Sequence, residues 1–207
     1  MPIMFNTILR EAGLALSDVR LLRHKDKRAT KGHSPYELWR DSRPLFETYQ
    51  SSQSIQVNND YLLSYVRNGG RLVVQYGQAE MQRPGIMPYP ITLKQPAERV
   101  TDENTPVMFT DPQSPLLNSP NRITQDDFKG WVQERATYMP STFDPHYRTM
   151  LAMSDPGEQP NRAAILAAPY GRGTYIYVPL ALFRQLPAGV PGSARIFANL
   201  LGGNTIR

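Results

Sequence analysis

The chain has no cysteine among its 207 residues. Disulfides, thiolate metal sites and cysteine nucleophiles are therefore excluded. Histidine is scarce: His24, His33 and His146 are the full set, and no HxH or HExxH spacing joins them. No zinc-ligand group is legible, and the expected metal and cofactor content is none. Gly-x-Ser-x-Gly is missing, so no nucleophile elbow is supported. Gly171-Arg172-Gly173 lacks the rest of a phosphate loop and leads into an apolar strand-like run rather than a helix. Long hydrophobic runs are also missing, and no window approaches the ~18–20 apolar residues of a membrane span. The opening stretch MPIMFNTILREAGLALSDVR places charges where an export signal needs an apolar core. These absences lead to the expectation of a soluble, cytoplasmic chain without a membrane partner.

What is present is uneven. Proline (19) and glycine (14) are both abundant, so much of the chain must be loop, while 40% hydrophobic residues suffice for a core. The net charge is +5, and six of the basic residues crowd into Arg20–Lys31 beside one acid. Those six, Arg20, Arg23, Lys25, Lys27, Arg28 and Lys31, have Tyr36 and Trp39 nearby. Two readings are open: a weak phosphate-binding surface for nucleic acid, or a solvated face with a packed aromatic pair.

Periodicity divides the chain near Ser51–Gln56. Residues 1–53 read as a basic helical segment, with apolar faces such as Phe5, Ile8 and Leu9. Residues 54–207 read as an α/β domain. Within it, NNDYLLSYVRNGG predicts a helix with a Leu62, Leu63, Val66 stripe, capped by Asn59 or Asp60 and ended by Gly69-Gly70. RLVVQYG predicts a strand directly after it, and a helix–Gly-Gly–strand unit is typical of parallel sheets, so this strand is expected at the sheet's centre. Residues 78–95 predict a proline-stiffened loop over a sheet edge. A short strand is expected around Val107–Thr110, a weak helix over ITQDDFKGWVQER, a β-hairpin over RAAILAAPYGRGTYIYVPL, and a closing helix over GSARIFANLLGG with Ser193 as its cap.

The stretch from Thr101 to Pro140 is too long for an ordinary connection. It carries the candidate ligand residues Asp126, Asp127, Trp131, Glu134 and Arg135. A carboxylate pair or a magnesium site is one reading. Adjacent carboxylates on a helix, however, point about 100° apart and do not converge. The other reading is structural: Thr124 and Asp127 form a capping pattern, Trp131 anchors packing, and Glu134 and Arg135 fix loop backbone. No residue is assigned a catalytic role.

Three long stretches, YLLSYVRNGGRLVVQY, RVTDENTPVMFTDPQSPLLNSPNRITQDDFKGWVQERATYMP and PYGRGTYIYVPLALFRQLPAGVPGSARIFANLL, carry a family likeness. Over about residues 56–201 the chain resembles the C-terminal glutamine-amidotransferase-like domain of PIG-L (LmbE-like) family deacetylases. Residues 1–53, through LLRHKDKRATKGHSPYELWRDSRPLFETYQSSQ, resemble the N-terminal segment of GIY-YIG-type nuclease proteins. The resemblance implies an α/β fold with a flavodoxin-like (class I glutamine amidotransferase-like) sheet. It implies a deacetylase domain or a carbohydrate conjugate as partner, and it places the 101–140 loop over the sheet edge where a catalytic site would be. The catalytic parts are missing: there is no His-Pro-Asp-Asp motif, Asp144-Pro145-His146 has another order, and no GIY…YIG pair occurs, Gly173-Thr174-Tyr175-Ile176-Tyr177 being only strand-like. The first strand–helix units of such a domain are missing as well, which implies a joined or truncated gene product or a diverged minimal form. The sheet is then incomplete, and an open edge invites self-association unless the N-terminal helices cover it. The function implied is a non-catalytic accessory module, with nucleic-acid association as the alternative.

Overall fold

The structure, a computed structural model, describes residues 58–75 and 77–202. The basic segment, its two histidines, the predicted N-terminal helices and the boundary near residue 53 lie outside the described residues. The described chain is a mixed α/β structure built on one five-stranded sheet that does not close into a barrel.

Helix α1 (Asn59–Arg67) carries Leu63 and Val66 on its buried stripe and ends just before Gly69-Gly70, as the periodicity predicts. Its N-cap is Asn58, which makes no side-chain capping bond. Strand β1 (Arg71–Gln75) follows, then a 3-10 turn (Ala79–Gln82), β2 (Ile91–Leu93), β3 (Arg99–Val100) and β4 (Met108–Phe109). Next come the one-turn helix α2 (Pro115–Asn118), a second 3-10 turn (Gln125–Phe128), β5 (Ala136–Thr137), β6 (Pro140–Phe143) and β7 (Arg148–Met153). The predicted hairpin is β8 (Asn161–Tyr170) with β9 (Gly173–Val178). The short helix α3 (Leu182–Gln185) and the closing helix α4 (Pro191–Gly202) complete the order.

The main sheet runs β1-β9-β8-β7-β4, and β2-β6 and β3-β5 are separate two-stranded ribbons. Among the described strands only β1 with β9 is parallel; β9-β8, β8-β7 and β7-β4 are antiparallel. Two expectations are thereby corrected. The sheet is mixed: β7, β8 and β9 follow one another as an antiparallel meander, and β4 and β1, from earlier in the chain, add antiparallel and parallel to its two edges. β1 is an edge strand among the described residues, not a central one. Its residues alternate between buried and half-buried, with Arg71 and Gln75 on the wetter positions, whereas β9 is buried at every residue. Leu72 and Val74 belong to one apolar layer and the half-buried Val73 packs against the other, so the apolar run marks two covered faces without requiring a strand neighbour on both sides.

Each face of the sheet carries its own apolar layer. On one side Ile165, Ala167, Ile176 and Val178 pack against Ile196, Phe197 and Leu200 of α4 and against Phe128 and Trp131. On the other, Leu166, Ala168, Tyr175 and Tyr177 pack against Leu63 and Val66 of α1 and against Met81, Met87, Ile91 and Leu93. The alternation along β8 and β9 is what sends successive residues to opposite layers. The proline-rich stretch therefore covers a face of the sheet rather than an edge, and it contains β2 rather than being loop throughout. Ser193 does not cap α4; it lies inside the first turn, and its hydroxyl donates to the Val190 carbonyl at 2.7 Å. No helix among the described residues is long and apolar enough to cross a membrane.

Candidate functional site

The long segment before β6 contains no extended helix. The predicted ITQDDFKGWVQER helix is a single 3-10 turn, because the chain turns left-handed at Gly130 (φ +70) and again at Gln133 (φ +66). A left-handed residue cannot continue an α-helix. The capping pattern does form: the Asp127 carboxylate accepts from the Thr124 amide at 2.8 Å.

Backbone bonds then lay the segment across the end of the sheet. The Arg135 amide donates to the Val100 carbonyl, Thr137 to Pro179, Met139 to Glu98, and Ala181 donates back to Arg135. Ala136 also bridges Leu180. These contacts sit just beyond Val178, at the carboxyl end of β9. The Tyr177 hydroxyl lies within hydrogen-bond distance of the carbonyls of Gly77 and Tyr138, at 2.8 and 3.0 Å. Burial raises the pKa of this phenol and keeps it neutral. In open α/β sheets the crevice at the carboxyl ends of parallel strands is the usual ligand position. Here residues 135–138 and Gly77 occupy the end of the one parallel pair.

The five candidate side chains do not converge on one point. Asp126 is exposed and, among the described residues, pairs with Lys129, itself exposed. Asp127 is buried, and its second oxygen accepts from Nε of Arg195 in α4 at 2.7 Å. Trp131 is buried and donates its indole N–H to the Asp127 carbonyl at 2.9 Å. Glu134 is 3% exposed and is held from two sides, by Arg99 Nε at 3.1 Å and by Arg184 Nε at 2.7 Å. Gln185, fully buried, closes the same turn by accepting from the Val132 amide and donating to the Val132 and Glu134 carbonyls.

Arg135 differs from its neighbour. It is 4% exposed, and its two Nη groups donate to the carbonyls of Phe128 and Thr105. Its guanidinium lies over the rings of Phe128 and Trp131. It has no ion-pair partner among the described residues, and its Nε has no hydrogen-bond partner. Burial pushes its pKa down to about 10, although Asp102 and Glu103 act to raise it. Beside it is an open recess of about 280 Å³, lined in part by Asn104, Gln125, Phe128 and Lys129.

Sequence reasoning missed the partners Arg99, Arg184, Arg195 and Gln185. It also missed Asp155, whose carboxylate accepts the amides of Thr101 and Asp102 and the Thr101 hydroxyl. Of the histidines, only His146 is described. It is exposed, stacks on Tyr89 with centroids 4.2 Å apart, and shares a 2.6 Å contact with Asp144. No group of three His, Cys, Asp or Glu side chains able to hold a metal ion occurs among the described residues.

No protein-family profile matches the chain, and no curated protein matches it. Among solved structures, the Cytoplasmic Protein STM3548 from Salmonella typhimurium is similar over 74% of this chain and 62% of its own length, at 14% identity and a TM-score of 0.47. The beta-galactosidase from Rahnella sp. R3 is similar over 69% of this chain and 20% of its own, at 15% identity and a TM-score of 0.39. The chain thus spans less than two thirds of either structure. Likeness at this level assigns no activity.

Proposed function

We propose that the described residues form a non-catalytic accessory binding or structural module, of the kind attached to PIG-L family N-acetyl-sugar deacetylases. Its mixed sheet would be an incomplete flavodoxin-like one. The observation that carries the reading is the fate of the 101–140 segment. Its buried carboxylates, Asp127 and Glu134, are each held by arginine, so neither is available as a base or metal ligand. In Asp127 one oxygen takes the Thr124 amide and the other Arg195, and in Glu134 one takes Arg99 and the other Arg184, so every oxygen already has a donor within the fold. The same segment covers the carboxyl end of the parallel strand pair, where such a fold would keep a crevice.

The test has two arms. The full chain, supplied with zinc and an N-acetylglucosaminyl substrate, should show no hydrolysis above a protein-free blank. Mixed with the catalytic domain of a PIG-L family deacetylase, it should form a complex visible by calorimetry and gel filtration. Hydrolysis that survives repurification and disappears on Asp127→Asn would overturn the non-catalytic reading. Absence of any complex would remove the deacetylase partner.

A further inference from the structure

We propose that the recess beside Arg135 binds a small monocarboxylate, seated between Lys129 and the guanidinium of Arg135 with its apolar part against Phe128. This goes beyond the accessory-module reading and does not depend on it.

The starting point is a charge balance between adjacent residues. Glu134 is a buried anion with two cations in contact. Arg135 is a buried cation with no anion in contact among the described residues, only carbonyls and ring faces. A buried charge without a counter-charge is costly unless something compensates it. The depressed pKa of the guanidinium reports the same cost from another direction. As a mere strut, Arg135 would need only the two Nη donors it already uses. Its Nε–H is sealed in the interior without an acceptor, so a ligand would meet the Nη hydrogens not already donated, in a side chain that lines an open recess. That geometry suits a carboxylate, which accepts from guanidinium edges and from ammonium groups.

The surroundings narrow the ligand. Phe128 and Pro106 give the recess apolar wall, and Asn104 and Gln125 give it polar wall. Lys129 is paired with Asp126, but both side chains are more than three-quarters exposed, and such a pair is weak enough for Lys129 to turn toward a ligand. Asp102 and Glu103 are half-buried and lie beyond ion-pair distance of Arg135, yet near enough to act on it through space. They would repel a dianion more than a monoanion. Carboxylate is favoured over phosphate on that ground.

The experiment is a titration of the isotopically labelled full chain, followed by amide and indole resonances at constant ionic strength. The probes are acetate, its neutral isostere acetamide, and inorganic phosphate at a pH where it is mostly dianionic. Acetate should give saturable shifts at the amides of Thr105 and Gly130 and at the Trp131 indole, acetamide should give none that saturate, and phosphate should bind more weakly than acetate. Lys129→Ala removes an exposed side chain and leaves the fold intact; it should weaken acetate about tenfold, the loss of one charge-assisted hydrogen bond. Equal shifts from acetate and acetamide, phosphate binding as tight as acetate, the absence of saturation, or Lys129→Ala titrating like the parent would each overturn the proposal.

Discussion

The β7–β8–β9 meander and the segment 99–143 face the same problem, the burial of backbone polar groups, and solve it differently. In the meander, ladders to neighbouring strands carry the pairing, with two irregularities between β7 and β8, and side chains are free to be apolar; Ala163 to Ala168 and Tyr175 to Val178 are buried almost without interruption. In the segment, ladders are two or three residues long, and side chains take over as acceptors and donors: Asp127, Arg135, Gln185 and Asp155 each hold backbone, and Glu134 ties Arg99 to Arg184. Acids in a long irregular stretch are therefore not by themselves a sign of chemistry. They can substitute for a missing strand.

Each region can be weakened without touching the other. Leu166→Ala in β8 removes a fully buried side chain from one apolar layer, and it should cost about 4 kcal/mol in urea unfolding, with the whole domain losing stability together. Glu134→Ala should cost somewhat less, about 3 kcal/mol, because Arg99 and Arg184 are partly exposed and can turn to water once their partner is gone. Its signature is local: amide exchange should rise across 99–143 before it rises in β8 or β9. If exchange rises evenly in both regions, the segment is not a separate layer of stability.

A smaller and pH-dependent effect is expected at Asp155. Burial raises its carboxyl pKa, but the amides of Asp102 and Thr101 and the Thr101 hydroxyl outweigh this and hold it below the usual carboxylate value. A group with a depressed folded pKa stabilises above its unfolded value, ~3.9, and loses that contribution as pH falls through the folded one. The parent should therefore lose more stability on acidification below about pH 4 than Asp155→Asn does. Equal acid limbs in the two melting profiles would show that the loop turn at Thr101 is held otherwise. The smallest effect belongs to Asp126→Asn, which loosens the exposed pair with Lys129 and should stay within about 0.5 kcal/mol of the parent.

Much of the regular structure is legible in the sequence, and physical reasons separate what is legible from what is not. α1, β8, β9 and α4 each carry enough residues of one period to reveal themselves. β7 does not: Met150 to Met153 are all buried, so no alternation marks it as a strand, and it is paired on both sides. The edge position of β1 was hidden because side chains packed on both faces give the same apolar run whether or not a strand pairs on each side. At the candidate site the Thr124–Asp127 capping pattern is local and readable. The arginines that neutralise the segment are not, since they come from 35, 50 and 68 residues away in the chain. Nothing in a linear pattern pairs Glu134 with Arg99 and Arg184 while leaving Arg135 without an acid.

The parallel pairing of β1 with β9 has a kinetic consequence. Arg71 faces Thr174 in that ladder, so about a hundred residues must be gathered before a single rung can close. The meander, by contrast, pairs strands that are close in the chain. β7, β8 and β9 should therefore assemble early, and α1 with β1 should dock last and detach first. Val74→Ala in β1 should then speed unfolding while leaving the folding rate nearly unchanged, whereas Ile165→Ala in β8 should slow folding. Stopped-flow rates for the two variants would show the order directly, and equal slowing of folding by both would place β1 in the nucleus instead. The edge of this sheet is in this sense a late guest: the strand whose helix–Gly-Gly–strand motif is clearest in the sequence is the one that the rest of the domain can begin without.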